Sequence, residues 1–540
     1  MQNYTNDGLS TDDSENKHPR NFRQTYEARR RRERPELILP SNTTEYTECA
    51  EQVFTALAKT GEFFVRDREL VRIIEVGDTH TLVEVDDKSL VTILEEHFVL
   101  KVERALGNGE FALKPSRCKR EQAIILLATD VYKWLPTINI IASAPVFTDE
   151  DGRLEVLPKG YHDMAGGVYV LKNRNIREMD LEKAKNELRG LLDDFNFVSV
   201  SDKSRALASF ISPALRLGGL LEVDFPLDIA EADQSQSGKT YRQKIVSALY
   251  GEKPFVITLK EKGGGVGSTN ESVSEALLSG RPFLMLENVR GKVASELLES
   301  SLRGHGWVNA RRAYQREVQV ATDRICWMLT SNEAQTNRDL AKRSIITRIR
   351  KQPRGRQFKT YDEGDLLAHV KENVDDYLSA IYTVLCAWHR KGKQRTRDTR
   401  HDFREWCQTL DWIVQNIFEC APLLDGHREE QDRISTPELG WLRKVAFAIK
   451  QDDKLEDSFK VGELINLCEQ HGIDIYGNRS HMNEDQVRLH LGKVLRRVFR
   501  EEASVRVDCF EVIRETRNEY NENQRKCIDV HYYQFRDVSK

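Results

Sequence analysis

The feature that most constrains the fold is an apolar stretch that runs into Gly-Lys-Thr and then into a helical pattern, between residues 223 and 251. Residues 223–230 are mostly apolar and bounded by polar residues, which is typical of a buried parallel strand. After Gly238-Lys239-Thr240, apolar side chains recur at helical spacing. A strand, a loop and a helix in this order predict a phosphate-binding loop, because N–H groups of the loop and of the first helical turn point at an anion.

In such a loop the lysine reaches the β- and γ-phosphates and the threonine hydroxyl holds Mg²⁺, which assigns these roles to Lys239 and Thr240. The full motif has glycine where Asp233 stands, and many such loops also have glycine where Gln236 stands. Those glycines let the backbone turn tightly against phosphate, so their loss predicts weaker affinity for nucleotide. The predicted nucleotide contacts are Gln234, Ser235, Gln236, Ser237, Gly238, Lys239 and Thr240.

Two apolar stretches downstream each lead into a polar residue suited to phosphate chemistry. Residues 281–288 lead to Glu287, which would coordinate Mg²⁺ through water or polarise the attacking water. Many ATPases carry a second carboxylate where Asn288 follows, so Glu287 acts alone or with another acid such as Glu296. A second stretch leads to Asn332, whose amide is suited to orienting the attacking water against the γ-phosphate.

Three arginines follow, and they are candidates for a charge placed on the nucleotide of a neighbouring subunit: Arg338, Arg343 and Arg348. Taken singly, each of these pieces is typical of an ordinary strand end, a turn or a solvated face. It is their succession at regular distances that favours an ATP site over four unrelated features.

In order and spacing, the four pieces resemble the AAA+ core of superfamily 3 helicases, and the resemblance covers about residues 135–350. The segment before the loop looks like the approach to the ATPase domain in helicase and primase–helicase proteins of phages and integrated mobile elements. The resemblance implies ATP and Mg²⁺ as cofactors, DNA as partner, a homo-oligomeric (hexameric) ring with ATP between subunits, and 3′→5′ movement. Arg343 occupies the position at which the family has an arginine that acts on the neighbouring subunit's γ-phosphate.

The predicted fold is therefore α/β: a P-loop AAA+ (ASCE) core with an α+β N-terminal region and a winged-helix-like C-terminal domain. The predicted divisions are a disordered tail at 1–43, the α+β region at 44–200, the core at 201–360, a helical lid at 361–426 and the C-terminal domain at 427–540.

A hairpin is predicted over residues 307–320, with a basic apex that contains Arg311, Arg312, Tyr314 and Arg316. Superfamily 3 proteins have a hairpin here that grips DNA in the ring pore, which makes the three arginines DNA-binding candidates and Tyr314 a candidate for base stacking. The family's pore residue is commonly lysine or histidine, and neither lies at this tip. A purely structural hairpin remains the alternative.

The C-terminal region shows two helical segments, of which the second is basic, followed by two alternating strands. This is the order of elements in a winged helix, where the second helix can lie in a DNA groove. The predicted DNA contacts are Lys493, Arg496 and Arg497. A charged helix face that simply meets solvent is the equally open alternative.

The formal net charge of −4 over 540 residues excludes a uniformly basic protein, so any DNA site is a local patch. The sequence has no apolar run long enough for a membrane span, and its first forty residues are too polar for a signal peptide. Nine scattered cysteines without a C-x-x-C pair predict reduced thiols in a cytoplasmic protein, and no zinc-ligand spacing occurs.

Three functions fit the sequence: an ATP-driven DNA motor, an AAA+ origin-binding initiator or helicase loader, and a degenerate nucleotide-binding scaffold. DNA-stimulated ATP turnover separates the scaffold from the other two. Strand displacement on a forked duplex separates the motor from the initiator.

Overall fold

The computed structural model describes residues 34–42, 44–106, 109–163, 167–232, 236–259, 268–293, 295–303, 306–312, 316–475, 482–500, 502–507, 509–521 and 526–538. Contacts divide the chain into two units, one of residues up to 74 with 83–137, the other of residues 75–82 with 138–540. The disordered tail predicted for 1–43 lies largely outside the described residues. Its described end is a correction to that prediction, because the apolar side chains of Leu37 and Leu39 are buried there in a strand.

The first unit is a small α+β assembly in which the side chains of Leu39, Phe54 and Leu90 are fully buried. Strand β1 pairs parallel with β5, which pairs antiparallel with β6, and β2 pairs antiparallel with β3. The elements between residues 36 and 127, of which residues 75–82 in β3 and β4 are counted with the second unit, are β1 Glu36–Leu39, α1 Tyr46–Ala58, β2 Phe63–Arg66, β3 Glu69–Val76, β4 Thr79–Glu84, α2 Asp87–His97, β5 Val99–Ala105, β6 Phe111–Pro115 and α3 Arg120–Leu127.

The second unit begins with short strands where the sequence predicts two or three. Five form, because turns such as the one at Asp151 and Gly152, both with positive φ, break the stretch often. They are β7 Ile140–Ala142, β8 Phe147–Glu150, β9 Arg153–Val156, β10 Gly160–His162 and β11 Val168–Val170, followed by α4 Leu181–Gly190.

A six-stranded sheet forms the centre of this unit, in the order β12-β21-β13-β19-β15-β14. Strand β12 is antiparallel to its neighbour and the other five are parallel. The sheet and its connections comprise β12 Asn196–Phe197, α5 Val200–Leu217, β13 Leu227–Ala232, α6 Lys239–Ala248, β14 Phe255–Ile257, α7 Thr269–Leu278, β15 Phe283–Val289, β16 Lys292–Val293, α8 Glu296–Ser301, β17 Trp307–Arg311, β18 Glu317–Ala321, β19 Cys326–Ser331, β20 Gln335–Thr336, α9 Arg338–Lys342 and β21 Ser344–Arg350.

Strand β13 is central to the arrangement, with β19 on one side and β21 on the other. The strand that follows it along the chain, β14, lies at the far edge of the sheet. Open α/β sheets bind ligands outside the carboxyl ends of their strands where the order changes direction in this way. The carboxyl end of β13 is therefore the expected place for a site.

Several predicted boundaries shift. The strand predicted at 223–230 begins only at Leu227, because the preceding Pro226 has no N–H for a strand ladder. The helix predicted at 292–302 shortens to α8, whose N-cap Ser295 accepts a hydrogen bond from the N–H of Leu298 at 3.2 Å.

Helices cover the sheet after β21: α10 Leu366–Glu372, α11 Val374–Arg390, α12 Arg404–Asn416 and α13 His427–Ser435. The single helix predicted at 366–389 divides at Asn373, whose side-chain amide donates to the carbonyl of His369 at 2.9 Å. Ile434 of α13 still belongs to the hydrophobic core of the main sheet.

The C-terminal segment has a hydrophobic core of its own, which begins at Trp441 and includes Leu491 and Phe535. Its elements are α14 Pro437–Gln451, β22 Ser458–Phe459, α15 Val461–Gln470, α16 Glu484–Val498, β23 Ser504–Val507, β24 Phe510–Asn521 and β25 Lys526–Asp537. The strands form an antiparallel sheet in the order β22-β25-β24-β23. The change from one core to the other falls between α13 and α14.

All nine cysteines are free thiols, as predicted. Among the described residues, no helix is both long and apolar enough to cross a membrane.

Candidate functional site

The loop between β13 and α6 has a strained backbone. Gly238 caps α6 with a φ of 93°, and a Cβ there would lie 3.1 Å from the ring of Phe195. Gln236, one of the positions where glycine is common, has a φ of 61°. A non-glycine residue in the left-handed region is disfavoured, so the backbone adopts a glycine-like turn without the glycine. Asp233, Gln234 and Ser235 lie outside the described residues.

Two side chains at the start of α6 fit a phosphate group. The hydroxyl of Ser237 is buried and finds no hydrogen-bond partner among the described residues. Lys239 is only 7% exposed, and its ammonium group donates to the side-chain oxygen of Asn332 at 2.6 Å. Burial lowers the pKa of Lys239, since the charged form loses solvent there. An unpartnered hydroxyl and a desolvated cation at a helix N-terminus suit a polyanion.

Thr330, near the end of β19, contacts one of the two predicted Mg²⁺ ligands. Its hydroxyl oxygen lies 3.5 Å from that of Thr240 and accepts the N–H of Asn288 at 2.8 Å. Glu287, the other predicted ligand, immediately precedes Asn288, and one of its carboxylate oxygens lies 3.9 Å from the ammonium of Lys244. The end of β19 therefore lies against the first turn of α6, and Glu287 lies against the second turn.

Sequence reasoning missed Glu231, which lies in β13 just before the loop. Its carboxylate is 4% exposed, accepts the N–H of Ala334 at 3.1 Å, and pairs with Arg433 of α13, one of whose nitrogens lies 2.9 Å away. Ala334 is two residues beyond Asn332, so Glu231 fixes the segment that presents the amide to Lys239. A carboxylate between the two buried alanines Ala230 and Ala232, in a strand that also holds Asp228, was the available signal.

The pair extends into a buried network. Arg433 also donates to Glu430 at 2.7 Å, and Arg348 donates to Glu430 at 2.8 Å. Burial opposes ionisation of Glu430, but the two guanidinium groups hold the pKa of its carboxyl below its usual range. Arg348 is thus engaged within its own chain.

The other two candidate arginines differ in their surroundings. Arg338 is exposed at the first position of α9. Arg343 is half-buried; its carbonyl accepts the N–H of Leu227 at 3.0 Å, and its guanidinium donates to the carbonyl of Glu299 at 3.1 Å. Leu227 is the first residue of β13, whereas Lys239 follows the end of that strand. The six residues of β13, about 20 Å of extended chain, therefore separate the end of the sheet at Arg343 from the end at Lys239.

The predicted hairpin is confirmed as β17 paired antiparallel with β18, with Arg311 opposite Glu317. Arg311 and Arg316 are exposed and Arg312 is half-buried. The tip, including Tyr314, lies outside the described residues. The base of the hairpin joins β19 at its amino end, so the hairpin and Lys239 belong to opposite ends of the sheet.

The candidate DNA contacts of the C-terminal segment lie on α16. Lys493, Arg496 and Arg497 are exposed, while Leu491 and Val494 of the same helix are buried in the core. Arg497 lies 3.5 Å from a carboxylate oxygen of Glu438. The three cations therefore share the outer face of the helix.

No protein-family model matches the chain, and no curated protein matches it. Among solved structures, the apo C-terminal region of NrS-1 is 12% identical, with 89% of this chain and 98% of that chain covered and a TM-score of 0.35. The active helicase Cch of SCCmec type IV is 11% identical, with 87% and 91% covered and a TM-score of 0.30. JCV helicase is 13% identical, with 47% and 71% covered and a TM-score of 0.20. The latter two are helicases by name, and the likeness at these scores shows no family.

Proposed function

We propose that this chain is an ATPase of the superfamily 3 helicase type that uses ATP hydrolysis to move along DNA. The observation that carries the proposal is the contact between Lys239 and Asn332 at 2.6 Å, made at the carboxyl ends of two adjacent parallel strands. Two residues 93 positions apart in sequence meet there, a cation suited to binding phosphate and an amide suited to orienting water.

The residues present fit a nucleotide. The loop with Ser237 and Gly238 would hold the phosphates, Lys239 would neutralise charge at the β- and γ-positions, and Thr240 and Glu287 would hold the metal side. Bound Mg²⁺ and ATP supply the charge neutralisation and the transferable phosphoryl group. Asn332 positions the attacking water, and Glu231 holds the Asn332 segment in place through Ala334.

We infer that each active site is shared between two neighbouring subunits of a ring. Because Arg343 lies at the amino end of the sheet and Lys239 beyond its carboxyl end, Arg343 does not serve its own nucleotide. In a head-to-tail ring two different surfaces of neighbouring subunits meet. If the surface with Arg343 met the surface with Lys239, Arg343 would reach the next subunit's γ-phosphate. Arg338, which is exposed, is the substitute for this role.

Two surfaces are proposed for DNA. Arg311, Arg312 and Arg316 of the hairpin would grip single-stranded DNA in the ring, where hydrolysis moves them. The outer face of α16, with Lys493, Arg496 and Arg497, would dock on duplex DNA, since helix-strand-helix-helix followed by antiparallel strands is the order of a winged helix.

A nucleotide-binding scaffold is the second candidate. It is favoured by the single carboxylate at the end of β15, where Asn288 replaces a second acid, and by the strained turn at Gln236. An initiator that loads another helicase shares the ATPase site and differs only in lacking strand displacement.

The test is ATP turnover by Lys239→Ala. The change removes the ammonium that stabilises β/γ charge, so turnover should fall by at least about 10²-fold, while circular dichroism and melting temperature stay near those of the wild type. Lys203→Ala is the matched control, because Lys203 forms only an exposed ion pair with Asp193 and should leave turnover unchanged. Wild-type turnover in Lys239→Ala would refute the site.

A further inference from the structure

A cavity of about 40 Å³ lies at the amino ends of the sheet strands, on the side away from the phosphate loop. Helix α5 covers it, and the first residues of β13, β15, β19 and β21 form its floor. One water molecule needs roughly 10–15 Å³ of such space. The cavity therefore has room for a few waters or for one halide-sized ion.

The cavity contains a buried cation. Arg216 of α5 is 1% exposed, and only its Nη2 is used, donating to the carbonyl of Thr322 at 2.7 Å. Its Nε and Nη1 atoms have no hydrogen-bond partner in the described part of the chain. The guanidinium carbon lies 4.6 Å from the ring centroid of Phe225. Asp323, an acid close enough to influence Arg216, is itself paired with Arg324 at 3.6 Å.

Other donors at the cavity are also unused. The Nε1 atom of Trp327 and the Nε atom of Arg205 are buried and lack partners within the described ranges. Asp228, the acid among the lining residues, is already held by Arg242 at 2.7 and 2.9 Å. Arg205 is likewise paired, with Asp202 at 2.7 Å, so the unused donors of Arg216 and Trp327 are the groups most available to an anion.

Burial lowers the pKa of Arg216 to about 10, which is the sign of a cation whose charge is incompletely neutralised. Asp323 and Asp224 act on the guanidinium, but neither bonds to its Nε or Nη1 atom. Water in the cavity would satisfy these N–H groups but add no negative charge beside them. An anion would do both.

We propose that this cavity binds a small inorganic anion of halide size, held by the free guanidinium edge of Arg216 and the indole N–H of Trp327. The ion would have a structural consequence beyond its own contacts. Arg216 holds the carbonyl of Thr322, the residue that follows β18, and the Thr322 hydroxyl donates to the carbonyl of Gly306 just before β17. The anion therefore fixes the base of the hairpin that carries Arg311 and Arg312.

The test exchanges gluconate for chloride at constant sodium concentration and follows the melting temperature of the full chain. Gluconate is too large for the cavity, so the wild type should melt a few degrees higher in chloride, with a saturable dependence on its concentration. Arg216→Met removes the buried charge and should abolish the chloride effect while melting no lower than the wild type in gluconate. Arg390→Met is the control, since Arg390 is 62% exposed and should keep the wild-type response.

A milder variant and a direct observation cover the case in which Arg216→Met fails to fold. Trp327→Phe loses one donor and should need several-fold more chloride for the same rise. Crystals grown in bromide should show an anomalous peak within hydrogen-bond distance of Arg216 and Trp327. Equal melting in chloride and gluconate, an unchanged response in Trp327→Phe, or no peak in the cavity would each show that it holds only water and overturn the proposal.

Discussion

At the scale of single residues, two buried histidines make stability depend on pH. The Nε2 atom of His427 accepts the N–H of Ile346 at 3.1 Å, and Nδ1 of His401 accepts the N–H of Phe403 at 3.0 Å, so both rings are neutral acceptors. Burial lowers the pKa of both, and for His427 the cations of Arg205 and Arg400 lower it further. The folded chain therefore binds these protons less readily than the unfolded chain does.

We predict that the free energy of unfolding is flat above about pH 7.5 and falls below about pH 6.5, by up to about 1.4 kcal/mol per pH unit for each histidine. Urea unfolding between these values measures it. His427→Gln keeps an acceptor for Ile346 and should flatten the slope; a stability that rises on acidification would contradict the account.

The residue scale also shows what sequence alone can reach. Lys239 and Asn332 follow apolar stretches in a known succession, so their contact was predictable. The joint roles of Thr240 and Glu287 at a metal stay a prediction. Thr330 and Glu231 sit inside strands, where a polar residue gives no indication of its partner. Arg433 lies 202 residues from Glu231, and nothing in either local pattern connects them.

At the scale of elements, the ion-pair network joins α13 to the sheet. We predict that Arg433→Met costs about 3–5 kcal/mol of unfolding free energy, because it leaves the carboxylate of Glu231 buried without its cation, whereas Glu430 keeps Arg348. Glu231→Gln combined with Arg433→Met should recover much of that loss, since no charge then remains at Glu231. Arg428→Met, an exposed position on the same helix, is the control and should change stability by less than about 0.5 kcal/mol. Chemical denaturation measures the cycle, and purely additive losses would show that Glu231 and Arg433 do not stabilise each other.

The boundaries of elements were predictable where the local sequence pattern determines them, and not where a particular side-chain contact does. The hairpin and the two helical segments of the C-terminal region, α15 and α16, were predictable from periodicity. The break at Asn373 was not, because it depends on a side-chain amide that bonds to the backbone one turn earlier.

At the scale of the whole molecule, the position of Arg343 at the amino end of the sheet predicts an active site shared between subunits. Arg343→Ala alone should lower ATP turnover by about 10³-fold, and Lys239→Ala alone should also be inactive. Mixing the two variants should restore turnover above that of either, because some interfaces then pair an intact Lys239 with an intact Arg343. Turnover and sedimentation are measured on the same mixtures. A fully active monomer, or no recovery in mixtures that do form rings, would place the arginine elsewhere.

The measurement that tests the central claim most directly is ATP turnover by the full chain with Mg²⁺, titrated with single-stranded DNA. A DNA motor built on this site should hydrolyse ATP slowly alone and faster, to saturation, as DNA is added, and Lys239→Ala should abolish both rates. Nucleotide binding without turnover, with or without DNA, would contradict the motor and leave the scaffold.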